Sequence, residues 1–340
     1  APFPEDNPPS PTKIALGKRL FFDKRLSRDN QVACASCHVL STKYAGADGL
    51  RTSVGIGGQQ GERNAPTVLN AAFQSHLFWD GRARSLEAQA VGPLINPVEM
   101  GMPDGASVVD KVRSIASYAH AFAAVFSERP AITLDTLVKA IAAYERTLIT
   151  PDSPYDRFVR GDRSALSAQQ VRGMALFESS GCVLCHSGPN FSGASLFDVG
   201  AAFRVFPAMD EGDWVAKYAL TEDRGAAQAA SHNTRGVWRI PSLLNVEHTA
   251  PYFHNGAVDS LAEAVRIMAQ VQLNRSLSNA PDDPHTARWI ATEQRFHVAS
   301  NHALSDRDVA DIVAFLRSLS GDLDALQIAT SAAASDADSR

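Results

Sequence analysis

All four cysteines of this 340-residue chain fall in two copies of one pattern, CASCH (Cys34, Cys37, His38) and CVLCH (Cys182, Cys185, His186). Two thiols three positions apart with an imidazole directly after them suit three chemistries: a redox dithiol, half of a zinc site, or attachment of a c-type haem. In the last case both sulfurs form thioethers with the haem vinyl groups, and the histidine ligates the iron from one side. The pattern occurs twice, keeps its histidine each time and leaves no cysteine over. That combination selects covalent haem, and with it two haem c groups and an exported, periplasmic location.

What stands opposite each histidine decides whether a haem passes electrons or reacts. The methionines are Met100, Met102, Met174, Met209 and Met268. Met268 lies in SLAEAVRIMAQVQL, where Leu261, Val265 and Met268 share one face of an expected amphipathic helix. Such a methionine fills core by default, but as an iron ligand it raises the potential. After the first motif comes TSVGIGGQQGERNAPT, Thr52 to Thr67, with four glycines and no His, Met, Cys or Tyr. It offers Ile56, Gln59 and Gln60; isoleucine cannot coordinate, and an amide is a poor ligand. Tyr44, Lys43 and His76 are the residues able to reach in from outside. The first iron is therefore expected to be open to a substrate. Beyond it come Trp79 beside a turn, a helix bearing Glu87 and Gln89, and a Pro-rich loop ending in Glu99. A carboxylate near an open iron can act as general acid–base in O–O cleavage; by itself Glu99 reads as a solvated surface residue.

These residues need a scaffold, and the sequence repeats one. ALGKRLFF and VRGMALFE both place a G-x-x-L-F helical stretch ahead of a motif, and TLDTLVKAIAAYERTL and LSDRDVADIVAFLRSL are the amphipathic helices that close each copy. Strand-like alternation is sparse. The expected fold is mainly α, with two haem-binding domains at 1–160 and 161–325, divided within the Pro-, Asp- and Gly-broken stretch 150–167, and a small, polar, disordered tail at 326–340. Hydrophobic content of 45%, charged content of 20% and a net charge of −5 suit a globular protein and give no sign of nucleic-acid binding. No apolar run approaches the roughly 18 residues of a spanning helix, so membrane insertion is not expected. The first residue is Ala, which suits a mature N-terminus left by removal of a signal peptide.

NAPTVLNAAFQSHLFWDGRA, EAQAVGP, NPVEM, IPSLLNVEHTAPYFHNGAV and LAEAVRIMAQVQLNR, in that order, resemble the bacterial dihaem cytochrome c peroxidase family, which includes MauG, over roughly residues 12 to 325. The resemblance implies two cytochrome c-like domains. The N-terminal haem would be peroxidatic, with His38 proximal, Glu99 as catalytic acid–base, Gln89 orienting peroxide and Pro93 in the distal loop. Trp79 would relay electrons from a C-terminal haem held by His186 and Met268, and His254 matches a family position near the haems. A calcium would be held by the Asn64 side chain and the carbonyls of Thr249 and Pro251. Hydrogen peroxide would be the substrate and a small cytochrome c or cupredoxin the electron donor; the family is often dimeric. Typical members carry a blocking histidine in the loop after the first motif, where this chain has Ile56. MauG also lacks it, but has tyrosine at the Met268 position and a surface tryptophan where this chain has Ser180. Peroxide reduction without reductive activation is thus the expected activity, and MauG-like oxidation of a partner protein the alternative.

Overall fold

The computed structural model describes residues 1–127, 130–198, 200–209, 212–227, 236–275, 277–278 and 303–324; the tail 326–340 lies outside the described residues. Two compact units result, one from Ala1–Phe78 with Arg82–Ile149, the other from Trp79–Gly81 with Thr150–Leu323. They divide at Ile149/Thr150, ahead of the boundary at 160/161 set from sequence. The cause is Tyr155, which meets Phe191 and Phe315 edge-on at 5.1 and 5.8 Å and so ties the chain after Thr150 to the second unit.

In the first unit the helices are α1 (Pro11–Phe22), α2 (Cys34–Cys37), α3 (Leu86–Ile95), α4 (Gly105–Ser114), α5 (Ala116–Val125) and α6 (Leu134–Glu145). The second contains α7 (Pro154–Val159), α8 (Ala168–Ser179), α9 (Asp213–Lys217), α10 (Leu261–Ile267) and α11 (Asp306–Arg317). Their starts are written locally: Ser10, Ser85, Asp104, Thr133, Ser167 and Ser305 each accept a backbone N–H of the first turn. Among the described residues β structure is limited to short pieces, chiefly β1 (Phe203–Phe206) antiparallel to β2 (Gly236–Arg239). The protein is mainly helical.

The sequence repeat becomes a repeated crossing. In the first unit α1 packs on α6 so closely that a Cβ on Gly17 would stand 1.8 Å from the Ala140 carbonyl oxygen. In the second, α8 meets α11 the same way, with a Cβ on Gly173 reaching 1.8 Å from the Asp311 carbonyl oxygen. Only glycine permits either approach. The Leu and Phe that follow it, Leu20 and Phe21 or Leu176 and Phe177, are buried beside the crossing. The opening helix of each unit therefore runs from this locked crossing toward its CxxCH motif.

Candidate active site and haem-attachment sites

Both motifs share a geometry suited to haem. His38 places Nδ1 3.1 Å from the Gly46 carbonyl oxygen, and His186 places Nδ1 3.0 Å from that of Phe191. A carbonyl accepts, so Nδ1 carries the proton and Nε2 keeps the lone pair that binds a metal. Burial pulls both imidazoles below their usual pKa, which keeps them neutral as ligation requires. None of the four cysteines pairs in a disulfide, and each keeps some exposure. Burial pushes Cys34 and Cys182 up to about 12 and Cys37 to about 11. A redox dithiol works through a lowered thiol pKa, and Cys34, Cys37 and Cys182 are moved the opposite way. Among the described residues no group of three or more His, Cys, Asp or Glu side chains is placed to hold a zinc or other metal ion. Paired thiols followed by a neutral imidazole whose Nδ1 is held by a carbonyl fit a covalently attached haem.

On the first unit, Glu99 belongs to the electrostatic surroundings of its motif: its charge helps to raise both Cys34 and Cys37. The carboxyl is half-buried. Burial raises its own pKa, against the opposing pull of the Arg82 guanidinium and of the Asn96 side-chain amide, whose Nδ2 donates to Oε1 at 2.6 Å. Gln89 lies on α3, half-buried. Glu87 is taken up by Arg146, at 2.7 and 3.1 Å, and by Asn7 at 2.8 Å, so it is structural.

Pro93 departs from the sequence expectation. It sits inside α3, not in a loop. Its missing N–H costs only the bond to the Gln89 carbonyl four residues back, and the helix runs on to Ile95 before Asn96 and Pro97 end it.

The glycine-rich stretch closes on itself. Gly55 N–H donates to Gln59 O at 2.8 Å and Gly61 N–H to Ser53 O at 3.0 Å, with Gly57 and Gly58 at the tip at φ +60° and +75°. Ile56 is 2% exposed. Its N–H donates to the Glu99 carbonyl at 2.9 Å, and its Cδ1 occupies the space where a Cβ on Gly101 would be, 2.1 Å away. Gly55 lies so near that a Cβ there would stand 1.9 Å from the Val98 carbonyl oxygen. The loop is thus pinned to the turn that carries Glu99, while Gln59 and Gln60 face solvent. Tyr44 rests on Gly49, with the Lys43 ammonium 4.8 Å from its ring centre. His76 is buried, its Nδ1 3.0 Å from Ser75 Oγ.

In the second unit Met268 is not on a regular α-helix. α10 ends at Ile267, and Met268–Gln272 form a π turn, an irregularity frequent at functional sites. Met268 packs half-buried in a cluster with Ile267, Tyr252 and Trp79. Trp79 is fixed through its carbonyl, which accepts from Arg239 N–H at 2.9 Å. His254, 2% exposed, meets Trp79 edge-on at 6.5 Å and stacks on Trp238 at 4.0 Å. Trp238 was not singled out from sequence; a stack between distant positions leaves no local pattern. Of the residues matched to calcium, Asn64 is buried and donates to Leu50 O at 2.9 Å, Thr249 ends a short 3₁₀ turn, and Pro251 follows a cis peptide bond. Ser180 is buried at the end of α8.

Residues 11–164 match the family model described as di-haem cytochrome c peroxidase. The chain is 41% identical over 320 residues to the cytochrome c551 peroxidase of Pseudomonas aeruginosa, covering 92% of this chain and 80% of that one. It is 35% identical over 322 residues to the methylamine utilization protein MauG of Methylorubrum extorquens, covering 94% and 81%. A solved MauG-like protein associated with microbial copper homeostasis matches with a TM-score of 0.74 at 30% identity, over 94% of this chain and 92% of that one. None of the described helices is long and apolar enough to cross a membrane. With two CxxCH motifs, each following a helix of a repeated crossing, and relatives aligned over most of its length, the chain belongs to the di-haem cytochrome c peroxidase family and is an oxidoreductase of a family with two haem groups.

Proposed function

We propose that the protein reduces hydrogen peroxide to water in the periplasm, taking electrons one at a time from a small cytochrome c or cupredoxin. One peroxide, two electrons and two protons give two waters. When bound, the haems supply the redox chemistry. His38 would hold the first and His186 with Met268 the second, Trp79 relaying electrons to the first. Glu99 takes a proton from one peroxide oxygen and returns it to the other, and Gln89 orients the molecule. His254 would help to set the second unit's aromatic surroundings.

The observation that carries this reading is Glu99, half-buried, held by Asn96 and near enough for its charge to act on Cys34 and Cys37. Ile56, packed against Gly101 and unable to coordinate, supports an enzyme that needs no reductive activation. It would equally suit MauG-like oxidation of a partner protein. Ser180, buried where that reading requires a surface tryptophan, and Met268 in place of tyrosine weigh against it. Calcium at Asn64, Thr249 and Pro251 is part of the proposal, tested by elemental analysis before and after chelation; homodimerisation is tested by light scattering. The deciding experiment for function is steady-state peroxide turnover with a reduced cytochrome c, started from fully oxidised enzyme. No turnover, with both haems present, would overturn it.

A further inference from the structure

We infer that Asn96 is the positioning residue for Glu99, its side-chain amide fixing which carboxylate oxygen is left to take and return the peroxide proton. This rests on the reading of Glu99 as the acid–base group.

Pro97 bars Asn96 from helical backbone, and Asn96 ends α3 at φ −66°, ψ 123°. Its carbonyl then accepts from both Glu99 N–H, at 3.1 Å, and Gly101 N–H, at 2.9 Å, closing the turn. The side chain is committed as well. Its Oδ1 accepts from Val98 N–H at 3.1 Å. An amide can face either way, but a backbone N–H can only donate, so the other end, toward Glu99, must be the NH₂. Nδ2 therefore donates to Oε1 at 2.6 Å. That engages one oxygen and leaves Oε2 for proton transfer. A donor to the carboxylate form also favours that form, the one that can accept a proton.

The other groups acting on Glu99 are accounted for by element. The turn after Leu77 contributes Arg82, the motif helix contributes Cys34 and Cys37, and the Gly55–Gln59 hairpin contributes Ile56 and backbone. Arg82 acts on the carboxyl through its charge, and Asn96 through a hydrogen bond. The proton Glu99 removes from one peroxide oxygen is the one it delivers to the other, so Glu99 ends each cycle unchanged and no further reactant is needed.

Asn96→Asp isolates the role: it keeps an acceptor for Val98 N–H and replaces the donor with a second carboxylate oxygen. Asn96→Ser keeps the acceptor and shortens the side chain, in case the paired carboxylates disturb folding. Two measurements are made on each holoenzyme with intact haem content. One is the pH profile of the peroxide reaction; the other is an infrared pH titration of the carboxyl band that disappears in Glu99→Gln. The expected result is an upward shift of both the acid limb and the band midpoint, by about one pH unit or more in Asn96→Asp and less in Asn96→Ser. An unmoved band and limb in both variants, with Glu99→Gln still inactive, would overturn the role of Asn96 and leave that of Glu99 standing. Full activity in Glu99→Gln would overturn both.

Discussion

At the residue scale, opposing effects set Glu99. Burial holds the proton on, while Arg82 and Asn96 pull it off, and burial prevails. A base works above its pKa, so the acid limb of peroxide turnover should lie above the ordinary glutamate value of 4.5. Glu99→Gln should keep both haems yet lower turnover roughly 10²-fold, the scale of a lost acid–base group; near-normal turnover would move the role to Gln89. Met268→Ala should lower the second haem's reduction potential and remove any sulfur-to-iron band, and an unchanged spectrum would mean that another residue holds that position. Glu145 gives a separate prediction. It is 5% exposed, and burial, only partly opposed by Arg146, pushes it up to about 8 from 4.5. A pKa raised by folding means stability is greatest below 4.5 and falls as pH rises through 8. Melting temperatures of Glu145→Gln should show a flatter decline over that window than the wild type. Glu99 was legible in the sequence only through resemblance, because solvation and burial look alike in one letter. Asn96 was not legible, although Asn before Pro at a helix end is a local signal.

At the scale of elements, the opening and closing helices were legible in their spacing, and the last of them also in the Ser-x-x-Asp start at Ser305. Two local rules failed. Pro93 reads as a helix stop but removes only one hydrogen bond, and Met268 reads as one turn of a regular helix but begins a π turn. Neither exception follows from residue type. The glycine-rich hairpin was legible as ligand-poor, but its contact with the Glu99 turn depends on tertiary approach. That contact predicts a contrast between two glycines. Gly55→Ala brings a Cβ to 1.9 Å from Val98 O, so hairpin and turn must part. Peroxide turnover should fall about tenfold, a fraction of what complete loss of the acid–base group costs, with haem content kept. Gly57→Ala meets nothing within 4 Å and bears only the strain of φ +60°, about 1–2 kcal/mol. Its melting temperature should fall and its turnover should not. Equal turnover in both variants would show that the hairpin does not brace Glu99.

At the scale of the whole molecule, one helical unit is used twice, with the same glycine-locked crossing and the same carbonyl-held imidazole, and the two copies differ in the segments that the proposed function assigns to the second side of each iron. The first offers a pinned hairpin with Ile56 turned into protein; the second offers Met268 on an irregular turn. On the proposed reading, with the hairpin over the first iron and Met268 ligating the second, that difference fixes the expected resting state. With no histidine in the hairpin, and with Tyr44 and His76 engaged against Gly49 and Ser75, the first iron should be five-coordinate or water-bound when both haems are ferric. The second should be six-coordinate and low-spin. Electron paramagnetic resonance of the as-isolated protein should therefore show one high-spin and one low-spin ferric signal. Peroxide mixed with that oxidised protein should react at once, with no lag that prior reduction would remove. Ile56→His supplies the contrasting case: an imidazole is too broad for the slot over Gly101, so the hairpin should release, and its new ligand should bring back both a low-spin first haem and a lag. Two low-spin signals from the wild type, with no peroxide reaction until an electron is added, would mean that a side chain from outside the hairpin closes the first iron.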